Sequence, residues 1–228
     1  MPETQIPIPS YEEMIKAGMH FGRKKTIFNP KMEPYVYTVK ESIYIIDLIK
    51  TTDAIIKVVN FLKKAIGEGK MVLFIGITKQ SADLIKSLAD DLNMPYAINR
   101  WLGGTLTNFK TINARVKYLE ELEADHKSGK FEKYTKKERL EKEREIKNLK
   151  EKFEGLKKLT RLPDIIFVSS VSESSLPLRE AKRTGVKIIG IINTDSDPTQ
   201  IDYPIPANDN ARKSVELILE TIRKALKP

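Results

Sequence analysis

Apolar positions along the chain fall into two patterns that predict two kinds of element. Continuous apolar runs stand at Met71–Ile75, Ile165–Val168 and Val186–Ile192. Runs this short, bounded by Gly, Pro or Asp, predict strands buried on both faces. The first ends at Gly76 and leads into Leu84, Ile85, Leu88 and Leu92 at helical spacing, while Leu176–Arg183 reads as a helix closed by Gly185. Strands separated by helices predict a parallel sheet covered on both sides, a doubly wound α/β sandwich. Upstream, Tyr35–Val39 and Ile43–Ile46 flank Lys40, Glu41 and Ser42, which predicts a projecting β-hairpin. A helix capped by Thr51 or Thr52 follows, with Ala54, Ile55, Val58, Val59, Leu62 and Ile66 on one face. A last helix, starting at Asp209 or Asn210, carries Val215, Leu217, Ile218, Ile222 and Leu226.

Between residues 107 and 158 the pattern changes to dense charge with narrow apolar seams. One seam is Phe109, Ile112, Val116, Leu119 and Leu122, the other Leu140, Ile146, Leu149, Phe153 and Leu156, and Gly129 lies in a turn between them. Two such seams bury best against each other, so the segment predicts an antiparallel α-helical coiled-coil hairpin inserted into the α/β domain. The expected division is residues 1–106 and 159–228 for the two parts of the sheet domain and 107–158 for the hairpin.

Composition narrows the classes of function. The 228-residue chain has no cysteine, which excludes disulfides, zinc-thiolate sites and thiol nucleophiles. Its apolar runs are far shorter than the ~20 residues a membrane span needs. Residues 1–13 hold three acids and neither Lys nor Arg, the opposite of a secretory or transit signal, so a cytoplasmic location is expected in preference to an organelle. The net charge of +9 is unevenly spread: residues 14–50 hold seven basic and three acidic groups, residues 107–158 sixteen and eleven, and residues 159–228 ten and nine. A polyanionic partner or simple solubility accounts equally for such an excess.

A doubly wound sheet invites a search for enzyme chemistry, and the motifs fail. The segment after the first strand, Gly76-Ile-Thr-Lys-Gln-Ser81, lacks dinucleotide-binding glycines, and Gly67, Gly69 and Lys70 precede a strand, with Met71 where a phosphate loop needs Ser or Thr. His126 reads as a solvated turn residue, and His20 as a histidine held in a glycine-flanked turn with no nucleophile beside it. Asp195, Asp197, Asp202 and Asp209 could offer oxygen ligands, but turns and caps account for them equally, and no metal or cofactor is assigned.

Two segments have the chemistry of RNA binding. In His20-Phe-Gly-Arg-Lys-Lys-Thr-Ile-Phe-Asn-Pro-Lys31, cations interleave with rings, so charge can meet phosphates while rings stack on bases. In Asn99-Arg-Trp-Leu-Gly-Gly-Thr-Leu-Thr-Asn-Phe-Lys110, Arg100 and Lys110 suit phosphates, and a glycine pair allows close backbone approach. Trp101 is either a base contact or a residue of the core or domain junction. The expected RNA-binding set is His20, Arg23, Lys24, Lys25, Asn29, Lys31, Arg100, Trp101, Thr105, Asn108 and Lys110.

These segments, with Gly18-Met-His-Phe-Gly22, Asn29-Pro-Lys-Met32, Ile45-Ile-Asp-Leu48, Pro163-Asp164, Glu180-Ala181, Asp202-Tyr203 and Ile205-Pro-Ala-Asn-Asp209, closely resemble the bacterial ribosomal protein S2 family in order and across almost the whole chain. The resemblance implies a Rossmann-like sheet domain with a protruding coiled coil, on the solvent side of the small ribosomal subunit where head and body meet. It implies a structural, non-enzymatic role in translation and contact with small-subunit rRNA and neighbouring ribosomal proteins. It also implies help in recruiting the multi-OB-fold ribosomal protein that captures messenger RNA, with neither a membrane nor a small-molecule substrate as partner. Arg23 stands where the family usually has a second histidine and Asn193 where it usually has Asp, and residues 171–177 also diverge.

Overall fold

The computed structural model describes residues 6–226; the first five residues of the acidic N-terminal stretch, and the final two residues, lie outside the described residues. Five parallel strands form the central sheet: β4 (Val72–Ile75), β5 (Tyr96–Ala97), β6 (Ile165–Val168), β7 (Lys187–Ile192) and β8 (Tyr203–Pro206), in the order β5-β4-β6-β7-β8. The order reverses between β4 and β6, which defines a doubly wound, Rossmann-like α/β fold. A second, antiparallel sheet of β1 (Phe21–Lys24), β2 (Val36–Lys40) and β3 (Ile43–Ile46) has the order β1-β3-β2. The β2–β3 turn places Glu41 and Ser42 at φ of 49° and 63°, the left-handed values that a two-residue hairpin turn demands.

The unbroken apolar strands are explained by the two cores they separate. Val72, Phe74, Ile165, Phe167, Ile189, Ile191 and Ile205 face one side and pack on α2 (Leu48–Gly67), α3 (Ala82–Asp91) and α7 (Arg212–Leu226). Alternate residues, among them Leu73, Ile75, Ile166, Val168, Ile188 and Ile192, face the other side. There they meet α6 (Ser175–Thr184), Trp101 and the root of the helical hairpin. Gly185 closes α6 at φ 73°, the left-handed cap its sequence position predicts.

The hairpin consists of α4 (Phe109–Lys127) and α5 (Lys136–Phe153). Ile112, Val116, Leu119 and Leu122 of α4 are buried against Ile146, Phe153 and the partly buried Leu149 of α5. Leu140, predicted to lie in the seam, is 47% exposed, because Phe131 at the turn is buried instead and closes that end. Thr135 starts α5 with a capping box: its hydroxyl accepts from the Glu138 N–H while the Glu138 carboxylate accepts from the Thr135 N–H.

Several elements depart from the sequence expectation. The helix α2 begins a turn early, since Asp47 accepts from the Ile49 N–H at 2.9 Å and acts as cap. Thr51 and Thr52 then lie inside the helix and donate back to the carbonyls of Asp47 and Leu48. The last helix starts later, at Arg212, because Asn208 Oδ1 accepts from the N–H groups of Asn210 and Ala211 in a turn. Residues 203–206 form a strand despite Pro204 and Pro206; β8 lies at the edge of the sheet, where a missing N–H costs no ladder bond.

Candidate nucleic-acid interface

In an open α/β sheet, ligands bind beyond the carboxyl ends of the strands at the point where the order reverses. Here that place is filled by the chain itself. Beyond β4 and β6, Ser169 Oγ donates to Ser81 Oγ at 2.8 Å, and Thr78 Oγ1 lies 2.8 Å from the same oxygen. Gly76 brings the backbone so near that a Cβ there would stand 2.7 Å from Ile85 Cγ1.

Beyond β7 and β8 the filling comes from the basic segment. The Arg23 N–H donates to Thr194 Oγ1 at 2.8 Å, and the Asn29 N–H donates to the Thr194 carbonyl at 2.9 Å. A Cβ on Gly22 would meet Thr194 Cγ2 at 2.7 Å and the Tyr44 carbonyl at 2.9 Å, so only glycine permits this approach. Arg23 then reaches over the strand ends: Nε donates to Asp195 and Nη2 to Asp209 and Asn210, each at 3.2 Å. Asp209 is fully buried and also accepts from Ser170 Oγ at 2.6 Å and Asn193 Nδ2 at 3.0 Å.

The predicted acidic cluster is therefore divided among separate cations. Asp195 and Asp209 face Arg23, Asp197 faces Lys31 at 2.6 Å, and Asp202 faces Lys187 at 2.7 Å. Lys31, followed by the Thr199 hydroxyl, holds the Asp197 carboxyl well below the usual carboxylate range. Among the described residues, no group of three or more His, Cys, Asp or Glu is placed to hold a metal ion. Arg23, expected as a phosphate ligand, is largely covered with its charge against two carboxylates, and Lys31, also expected as one, stays exposed in a surface pair with Asp197.

The second predicted segment is organised by a residue the motif search left without a role. Glu180 of α6 is buried, and its carboxylate accepts from Trp101 Nε1 at 2.9 Å and from the N–H groups of Gly104, Leu106 and Thr107 at 2.8, 3.0 and 3.2 Å. The Thr107 hydroxyl donates as well, at 3.2 Å. Burial pushes this carboxyl up, but the converging donors outweigh it and hold it below its ordinary value. The close backbone approach that the glycine pair foretold is thus to a carboxylate of the same chain, with Gly104 at φ 92°.

This arrangement places two residues of the expected set in the interior. Trp101 is 5% exposed and Thr105 1%, and the Thr105 hydroxyl donates to the Leu102 carbonyl at 2.6 Å. Neither side chain is presented to a base or phosphate; the indole instead joins the core between the sheet and the hairpin root. Asn29 and Asn108 have local duties too: Asn29 Oδ1 accepts from the Lys31 N–H, and Asn108 Oδ1 accepts from the Thr111 hydroxyl.

Lys24, Lys25, Arg100 and Lys110 are exposed and form no ion pair among the described residues. His20 lies elsewhere, in an apolar groove of about 400 Å³ shared with Tyr11, Ile15, Tyr37, Leu48 and Ile49. Its ring lies 4.0 Å from that of Phe21, its Nδ1 is buried without a partner, and burial lowers its basicity. A candidate outside the motifs is Lys86, which folding brings near Arg100.

A doubly wound sheet whose reversal point is occupied by its own side chains, with a charged helical hairpin inserted in it, defines an α/β scaffold that carries exposed cations. Comparison with known proteins gives the scaffold its family. Residues 14–228 match the model of the family described as Ribosomal protein S2. The chain is 39% identical to the small ribosomal subunit protein uS2 of Coprothermobacter proteolyticus, covering 97% of this chain and 82% of that protein. It is 41% identical to the uS2 of Thermus thermophilus, covering 91% and 81%. The chain belongs to the ribosomal protein S2 family. It is a structural protein of the small ribosomal subunit with a role in translation, and not an enzyme.

Proposed function

We propose that the chain binds small-subunit rRNA at the junction of head and body, through exposed cations on its β-hairpin side and at the hairpin root. The observation that carries this reading is the division of the basic residues into two sets. Arg23 and Lys31 are paired with carboxylates of the same chain, whereas Lys24, Lys25, Arg100 and Lys110 stay exposed and unpaired among the described residues, on the surface flanking the family's most recognisable segments. Unpaired surface cations displace counterions from RNA, which makes binding strongly dependent on salt. The long charged faces of α4 and α5 extend that surface towards neighbouring ribosomal proteins.

The protein's recruiting role is supported by the groove around His20. Tyr37, Ile49, Ile15 and Tyr11 are 75%, 62%, 54% and 51% exposed, and a contiguous apolar patch on a soluble protein suits a protein partner better than RNA. We assign this groove to the multi-OB-fold protein that captures messenger RNA, and the cytoplasmic ribosome as the place of action.

Binding to small-subunit rRNA, followed across about 50–300 mM monovalent salt, tests the central claim. Lys24, Lys25 and Lys110 changed together to Gln should flatten the slope of log affinity against log salt by roughly 2–3. A wild-type protein with no salt-sensitive affinity for the RNA would refute the reading.

A further inference from the structure

On the open edge of the sheet, beyond β5, the root of the hairpin stands away from α3 and leaves a cleft of about 320 Å³. Lys86 of α3, Arg100, and Lys147 and Lys152 of α5 line it, and none of the four forms an ion pair among the described residues. Lys150 lines it too, but is held by Glu123 at 3.0 Å. The acids on its wall are Glu151 and Glu154, so the unpaired cations outnumber them. Lys152 lies in the last turn of α5 and also offsets the negative end of that helix. No such local duty accounts for Lys86, Arg100 or Lys147.

The cleft is held open by rigid contacts. Asn99 Nδ2 donates to the Glu151 carbonyl at 2.8 Å, tying the strand end to α5. At the floor, a Cβ on Gly155 would stand 2.2 Å from the Tyr96 carbonyl oxygen, so the chain after α5 lies directly on the edge strand. A preformed walled groove gathers cations at little ordering cost, and field lines focus between its low-dielectric walls.

We propose that this cleft is a walled RNA-backbone site that shares Arg100 with the surface described above and adds Lys86, Lys147 and Lys152, the four neutralising phosphates of one rRNA segment passing between hairpin and sheet. The inference rests on the ribosomal reading above and adds a place on the molecule remote in sequence from the N-terminal basic segment. A phosphodiester strand suits the site because the cations come from three elements around a groove, whereas a single bound anion needs convergence on one point.

The test compares two sets of substitutions that remove equal charge, in binding to small subunits depleted of this protein. The cleft set is K86Q, K147Q and K152Q combined; the control set is K57Q, K64Q and K213Q, on α2 and α7, none of which lines the cleft. The cleft set should lower affinity roughly 10–100-fold at low salt and flatten the salt slope by about 2–3, with the control within about threefold of wild type. Unchanged Trp101 fluorescence and helical circular dichroism establish that both sets are folded. Equal losses in the two sets would overturn the proposal, since net charge would then suffice. Wild-type affinity of the cleft set for rRNA alone, with reduced incorporation into subunits, would also overturn it and point to an acidic protein neighbour. If the wild type itself shows no salt-sensitive binding, the ribosomal reading falls first and the cleft with it.

Discussion

Replacing Arg23 with Ala leaves Asp209, a fully buried carboxylate, beside Asp195 with no cation between them. Uncompensated buried charge is among the costlier defects a substitution can create, and R23A should lose roughly 2–4 kcal/mol in urea denaturation. Lys at this position keeps the charge but not the fork that serves three oxygens, so R23K should recover only part of the loss. The salt slope of RNA binding should barely move in R23K. A stable R23A whose salt slope falls by about one would instead make Arg23 a phosphate ligand. At this scale the sequence conveyed which side chains are cationic, but not which are already spent. The partners of Arg23 lie 172 to 187 positions along the chain, beyond the reach of any local pattern.

Between α6 and the loop that leads into α4, everything converges on Glu180. Gln in its place offers one acceptor oxygen and turns an N–H₂ group towards donors, so E180Q should destabilise the protein by roughly 2–4 kcal/mol. Trp101 is the single tryptophan, so loosening of this loop reads out directly as a red shift in its emission. The pH dependence has a defined sign. Because the folded carboxyl titrates below its ordinary value, its contribution is full above the unfolded value of about 4.3 and is lost as pH falls through the folded one. Wild-type Trp101 emission should therefore shift red on acidification below about pH 4, while in E180Q that acid step should disappear. Gly155 sets the other fixed point of the hairpin root, and G155A should cost several kcal/mol, because its Cβ would overlap the Tyr96 backbone. A thermal unfolding midpoint equal to wild type in G155A would mean that the root can shift freely.

Elements were legible where a period or a cap was strong, as in the continuous strands, the two hairpin seams and the αL glycine after α6. Elements were missed where pairing made them: β1 exists because β3 lies beside it, and the two-residue strand β5 because β4 does. The role of Glu180 was hidden because a buried carboxylate that receives only neutral donors leaves no charge partner to search for.

For the whole molecule, function is divided among surfaces that the doubly wound core holds apart. The exposed cations proposed to meet RNA flank the β-hairpin and the hairpin root, and the apolar groove lies where α1 (Tyr11–Lys16), β3 and the start of α2 meet. This separation is testable by placing a charge in the groove. Ile49 occupies the first turn of α2, where the positive end of the helix favours an acid, so I49D should preserve the fold. It should weaken retention of the multi-OB-fold protein on small subunits at least tenfold and leave rRNA affinity within about threefold. Retention equal to wild type would move the recruiting surface elsewhere. The sheet and its inserted hairpin were readable from periodicity alone. The occupied reversal point was not, because missing glycine motifs say only that a nucleotide is unsupported, not what packs there instead.

The clasp of residues 22–29 over Thr194, Asp195 and Asp209 also has a consequence in time. Synthesis delivers the basic segment first and its seat last, so a growing chain carries Arg23 and Lys31 unneutralised until nearly all of β7 and β8 have emerged. Completion of the C-terminal third then covers Arg23 against Asp195 and Asp209 and pairs Lys31 with Asp197 at the surface.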